Sequence, residues 1–174
     1  MNGTMRLKLL APGHAGPLEE FEGANRSFFA ARVGDRGDDF FMHFDDWLAS
    51  RILENQDGTS LLVVIVDAKG EVLGRINITD VDRPDATELG FRIAEHAQGR
   101  GLARTGVTEA LEVAATRGVR TVKARVAIAN PASHRVLEHC GFARVGRTES
   151  PSDSSQTFIG YHKDLDRTLG SSVR

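Results

Sequence analysis

Gln98-Gly99-Arg100-Gly101-Leu102-Ala103 is the stretch on which the reading of this chain turns. Before it, residues 87–93 alternate: Leu89, Phe91 and Ile93 share one side, while Glu88, Gly90 and Arg92 take the other. That is the period-two pattern of a half-buried strand. After it, Ala103, Val107, Ala110, Leu111 and Ala114 recur at helical spacing, and Arg117-Gly118 adds a terminating cation and glycine. The six residues therefore join a strand to a helix N-terminus, where the first amides lack intrahelical acceptors and the macrodipole is positive. Gly99 and Gly101 remove the Cβ atoms that would keep an anion from the backbone, and Arg100 and Arg104 add charge. The pattern predicts an anion-binding turn, although a tight turn with close helix–strand packing and no ligand would use the same glycines. A P-loop would need Gly-Lys-Ser/Thr where Leu102-Ala103-Arg104 stands. A dinucleotide fingerprint wants a small residue at Arg104 and an acid ~20 positions on, where Val119, Arg120 and Thr121 occur.

Outward from this turn the period changes several times. Towards the N-terminus, residues 6–10 read as a strand, 17–31 as a helix and 34–39 as an acidic loop. Phe40, Phe44, Trp47, Leu48 and Ile52 form the stripe of a second helix that stops near Gly58. Residues 61–66 and 71–79 follow as strands, joined by the turn Asp67-Ala68-Lys69-Gly70. Towards the C-terminus, residues 122–128 alternate with Val122, Ala124, Val126 and Ile128 inward. Asn130-Pro131 fits an N-cap followed by proline at the first helical position, and Gly141 closes that short helix. Strands are predicted at 142–147 and 157–163, separated by a Ser-rich loop. The order βααβββαβαββ predicts an α+β or mixed α/β layer, with helices covering a largely antiparallel sheet.

The chain has 174 residues, which on a prior of ~150 per domain predicts one domain over 1–174, with a core over 6–164 and a polar tail over 165–174. Lys plus Arg is 22 and Asp plus Glu is 24, a formal net charge of −2 that supplies no global field for nucleic acid or an anionic membrane. The longest apolar run, residues 61–66, falls far short of the ~20 residues of a membrane span. Arg6 and Lys8 interrupt any apolar signal core, and the lone Cys140 has no internal disulfide partner. Together these predict a cytoplasmic protein. The six histidines show no metal-ligand spacing, and adjacent His139 and Cys140 point apart on a helix, so no metal is expected.

Two motifs together resemble the GNAT N-acetyltransferases. Gln98-x-x-Gly101-x-Ala103 is similar to that family's Gln/Arg-x-x-Gly-x-Gly/Ala turn, and Asn130-Pro131-Ala132-Ser133 followed by Gly141-Phe142 resembles its Asn-x-x-Ser helix. Weaker similarity to the RimJ/RimL branch, which acetylates protein N-termini, lies in Asn25-Arg26-x-Phe28-Phe29 and the helix carrying Trp47. The resemblance implies the GNAT fold and acetyl-CoA as co-substrate. It places the pyrophosphate on Gln98, Gly99, Arg100, Gly101, Leu102, Ala103 and Arg104, and the pantetheine arm beside Asn130 and Ser133. It also implies that the strand before the turn splays from its neighbour, so that Phe91, Arg92 and Ile93 hold the thioester and pantetheine through backbone amides.

The resemblance also implies the chemistry. Glu88 is the leading candidate base, with a solvated or Arg-paired carboxylate as the alternative, and Glu149 is a weaker second. Many GNAT enzymes carry an acidic tyrosine where Leu137 stands, and the only tyrosine, Tyr161, lies in the last strand. Ser133 is the candidate that protonates the leaving sulfur, unless its hydroxyl only caps the helix or binds pantetheine. A lysine amine at pKa ~10.4 costs about 4 kcal/mol to deprotonate near pH ~7.4, and an α-amine at ~7.8 costs roughly 0.5 kcal/mol. The blurred base and the missing tyrosine therefore favour an α-amine, or an amine of lowered pKa, over a lysine side chain, with a protein N-terminus as the leading acceptor. A small amine (polyamine, amino acid or aminoglycoside) and a silent acyl-CoA-binding module remain as alternatives. Asp35, Asp38 and Asp39 could meet a cationic acceptor or simply be solvated, and the exposed edge near the C-terminus admits a homodimer.

Overall fold

The computed structural model describes residues 5–149 and 157–165. Seven strands form one sheet in the order β1-β2-β3-β4-β5-β7-β6. They are β1 (Arg6–Leu9), β2 (Leu61–Val66), β3 (Val72–Thr79), β4 (Glu88–Ile93), β5 (Thr121–Ala127), β6 (Ala143–Glu149) and β7 (Thr157–Asp164). Helices α1 (Ala15–Ala24), α2 (Arg26–Val33), α3 (Asp38–Met42) and α4 (Phe44–Asp57) precede β2. Helix α5 (Leu102–Thr116) follows β4, and α6 (Pro131–His139) follows β5. Every pairing is antiparallel except β4 with β5, so the mixed, largely antiparallel layer expected from the sequence is the one observed.

The sheet is covered on both faces. Arg75 and Asn77 stand opposite Arg92 and Gly90 across β3 and β4, on the side that α1 reaches through Glu22. The opposite face carries Ile65 and Ile76 and receives α5. Gly106 makes this close approach possible, because a Cβ there would meet Ile76 Cδ1 at 2.6 Å and Ile65 Cδ1 at 2.9 Å. β2 is buried throughout, as a purely apolar strand covered on both faces must be.

Two helical expectations are corrected. The segment read as one helix over 17–31 is two helices that meet at buried Asn25. Its Nδ2 donates to Phe21 O at 2.8 Å, and its Oδ1 accepts from Glu95 N at 2.8 Å, so the side chain competes with the helical ladder and ties it to the segment after β4. The Phe40–Ile52 stripe is likewise split at His43. Ile128, expected inward, lies beyond the end of β5 and is 46% exposed. Residues 150–156, most of the Ser-rich loop, and residues 166–174 of the tail lie outside the described residues.

Candidate active site

The site is made by a failure of pairing. β4 and β5 pair only at Glu88–Lys123 and Leu89–Ala124, and beyond those two positions the strands separate. A cleft of about 200 Å³ occupies the gap, with Leu89 to Arg92 on one wall, Ala124 to Ala127 on the other, and Asn130, Ser133 and Leu137 at its end. A second cavity of about 70 Å³ continues from it between α2, β4, the N-terminus of α5 and α6. Phe91, Arg92, Val33, Asn130 and Ser133 line both, so the two spaces share one throat.

The local causes of this geometry are readable in the chain. Gly101 caps α5 with φ +75° and Gly99 has φ +73°, left-handed values that suit glycine. No side chain caps α5, which leaves its first amides facing the turn. Gln98 Nε2 donates to Ile93 O at 2.8 Å and fastens the turn to β4. Asn130 caps α6 by accepting from Ser133 N at 3.3 Å, with Pro131 at the first helical position.

Of the residues singled out for the acetyl-CoA moiety, Phe91, Arg92, Ile93, Gln98, Ala103, Asn130 and Ser133 all line the second cavity. Gly99, Arg100, Gly101 and Arg104 are exposed at its α5 end, whereas Leu102 is buried and offers the site only backbone. An uncapped helix start, a splayed strand and a throat leading to Ser133 fit a phosphate-terminated thioester. Phe28, Phe29, Arg32 and Val33 of α2 complete the cavity. Of these four, only the phenylalanines fall within a stretch the sequence marked.

The candidate catalytic residues are less alike. Glu88 lies at the start of β4, with Oε1 accepting from Arg125 Nε at 2.9 Å and Oε2 from Arg125 Nη2 at 3.0 Å. Arg125 rather than Glu88 lines the cleft. Glu149 is exposed at the end of β6, opposite Thr157, and lines neither space. Leu137 is fully buried at the cleft end, and Tyr161 is a core residue whose hydroxyl lies 2.7 Å from His134 Nδ1. Cys140 is buried beside Thr108 and Arg104 O, and burial raises its thiol pKa. Among the described residues no cluster of His, Cys, Asp or Glu could hold a metal ion, and no helix is long and apolar enough to cross a membrane.

One constellation was invisible in the sequence. Glu22 of α1, 1% exposed, sits among three arginines: Arg75 Nε at 2.6 Å, Arg92 Nη1 at 3.4 Å and Arg36 Nε at 3.5 Å. Phe40, Trp47 and Phe29 lie under the guanidiniums. Burial, then repulsion from Arg75, pushes Arg36 down to about 9 and Arg92 down to about 10, so both stay charged at neutral pH. Arg36, Arg75 and Arg92 also line the cleft. By contrast, Asp35 and Asp38 are held by Arg26 at 2.8 and 2.7 Å.

Comparison with known proteins agrees with this architecture. The acetyltransferase (GNAT) domain family matches residues 36–143. No curated protein sequence matches the chain. Among solved structures, the ribosomal-protein-S5-alanine acetyltransferase from Vibrio fischeri is 18% identical with a TM-score of 0.84, over 93% of each chain. RimJ from Mycobacterium smegmatis, in complex with CoA-disulfide, is 19% identical with a TM-score of 0.82, over 97% of this chain and 86% of its own. Spermidine N-acetyltransferase from Vibrio cholerae, in complex with CoA and spermine, is 20% identical with a TM-score of 0.73, over 92% of this chain and 95% of its own. The family match spans more than half of the sequence and contains the splayed strand, the glycine turn and the Asn130–Ser133 helix start, and the chain belongs to the GNAT acetyltransferases, which transfer an acetyl group from acetyl-CoA to an amine.

Proposed function

We propose that the protein acetylates the α-amine of a peptide or protein N-terminus, by direct attack on acetyl-CoA with no covalent acyl-enzyme. The observation that carries this reading is the bidentate Glu88–Arg125 pair. Both carboxylate oxygens of Glu88 are engaged by a guanidinium, and it is Arg125 that faces the cleft, so this carboxylate is poorly suited to strip a proton from a lysine-like amine. An α-amine with a pKa near ~7.8 is already partly neutral at pH ~7.4 and needs little help. The amine enters the cleft, its nitrogen bonds to the thioester carbon, and the C–S bond breaks. Backbone amides of β4 polarise the carbonyl, Ser133 gives a proton to the departing sulfur, and Glu88 takes the ammonium proton through water. Ser133 regains its proton from solvent.

The likeness to the Vibrio fischeri and Mycobacterium smegmatis ribosomal-type enzymes supports this acceptor, while the spermidine enzyme shows that the same fold also serves a polyamine. The test is release of free thiol from acetyl-CoA. Peptides with a free N-terminal Ser or Ala are compared with N-blocked peptides carrying one lysine and with spermidine. The expected result is a kcat/KM at least about tenfold higher for the α-amine at pH ~7.4, rising with the fraction of neutral amine. Turnover confined to lysine or spermidine would overturn the proposal. Tight CoA binding without turnover of any amine would make the protein a binding module.

A further inference from the structure

We infer that the acceptor of this cleft carries an anionic oxygen group, a carboxylate or a phosphate, near its amine, and that Arg36, Arg75 and Arg92 hold that group. The inference rests on the acceptor reading of the cleft and names the chemical class that the cleft takes.

Three guanidiniums converge on one carboxylate, so the cluster carries a surplus of positive charge where water is scarce. An uncompensated buried cation is costly, and a structure retains it where something else neutralises it. Glu22 does not complete the hydrogen bonding. Among the described residues, Arg75 Nε and Glu22 Oε1 face each other as an ion pair at 2.6 Å without hydrogen-bond geometry, and the buried Arg36 Nε, 3.5 Å from Glu22 Oε2, has no hydrogen-bond acceptor. The same three arginines form part of the cleft wall that faces Ser133 and Phe91. Aromatic rings under Arg36 and Arg75 help hold the guanidiniums in place.

Such a site suits an oxyanion, because a guanidinium fork offers parallel N–H donors to the oxygens of a carboxylate or phosphate. It is ill suited to a polyamine, whose second cation would meet the surplus charge. The neighbouring acidic loop offsets little of that charge, because Arg26 pairs with both Asp35 and Asp38 and the one net negative charge left lies on side chains 42% and 85% exposed, where water screens it.

The decisive measurement is equilibrium binding by calorimetry to the whole protein with CoA present, alongside thiol release. The probes are the peptide amides Ser-Glu-Ala-Ala, Ser-Gln-Ala-Ala and Ser-phosphoserine-Ala-Ala, the pair O-phosphoethanolamine and ethanolamine, and spermidine. The charged member of a pair is expected to bind about tenfold or more tightly than its neutral match, and the glutamate and phosphoserine arms show which oxyanion is preferred. Arg36→Gln should erase that preference, raising KM for the acidic peptide about tenfold with kcat within about twofold, and Arg36→Lys should restore only part of it. In the unaltered protein the preference should also shrink as NaCl rises from about 0.05 to 0.5 M, a readout that needs no variant. Equal binding of matched pairs, tighter binding of the neutral member or of spermidine, or a preference untouched by Arg36→Gln would overturn the inference. Acidic preference in binding without thiol release from any amine would instead defeat the acetyl-transfer reading and leave this one standing.

Discussion

Ser133 owes its position to Asn130. The Asn130 side chain accepts from the Ser133 amide at 3.3 Å, and this cap sets the first turn of α6 so that Ser133 lines both the throat and the cleft. If its hydroxyl protonates the leaving sulfur, Ser133→Ala should lower kcat roughly 10²-fold while leaving the KM for acetyl-CoA within about twofold. An unchanged kcat in steady-state assays would reduce Ser133 to a helix-capping role. Glu88 makes a different prediction. The neutral amine becomes scarcer as pH falls below its pKa, so a base matters most there. Glu88→Gln should therefore depress kcat at pH ~6.5 far more than at pH ~9. A pH–rate profile of unchanged shape would remove Glu88 from proton transfer. Both residues were legible as candidates from their motifs. The engagement of Glu88 by Arg125 was not, because the two lie 37 residues apart and meet only across the β4–β5 pairing.

At the scale of elements, the turn between β4 and α5 and its neighbouring glycines serve two separate ends. Gly101 has open space around its missing Cβ but a φ of +75°, so its reason to be glycine is backbone conformation. Gly106 has an ordinary helical backbone, and its reason is the Ile76 and Ile65 side chains against which α5 lies. Gly106→Val should therefore cost about 2–3 kcal/mol in urea unfolding through overpacking alone. Gly101→Ala should cost only about 1 kcal/mol but weaken CoA binding by reshaping the helix start. Equal effects of the two changes on stability and CoA affinity would show that the turn has no special role. The strands and helices around this turn were legible because their period is local. The breaks at Asn25 and His43 were not. Asn25 ends a helix through a bond to Glu95, 70 residues away, and no window of sequence contains both partners.

Across the whole molecule, the short β4–β5 pairing divides the sheet into a β1–β4 half and a β5–β7–β6 half joined over only two residue pairs. The proposed acetyl-CoA path runs between them, touching β4 and α5 on one side and α6 on the other. A ligand bridging both halves should stabilise the fold as a unit. CoA at 100 times its Kd is expected to add about 2.7 kcal/mol to unfolding free energy, and to slow amide exchange in both β4 and the first turn of α6. Protection confined to one half, or no shift in Tm, would contradict a site built across the splay.

The sequence by itself determined most of the strands and helices, the glycine turn at a helix start and the Asn130 cap, and the family was legible there only as a resemblance of two motifs. These depend on periods, caps and φ preferences set within a few residues. Only the tertiary structure decided how far β4 and β5 separate and which guanidiniums crowd Glu22, because α1, the loop after α2, β3 and β4 must all fold before those side chains meet. A near-neutral chain can thus hold a concentrated positive site. Net charge is a sum over residues, whereas the field inside a cleft is set by distance and by the exclusion of water.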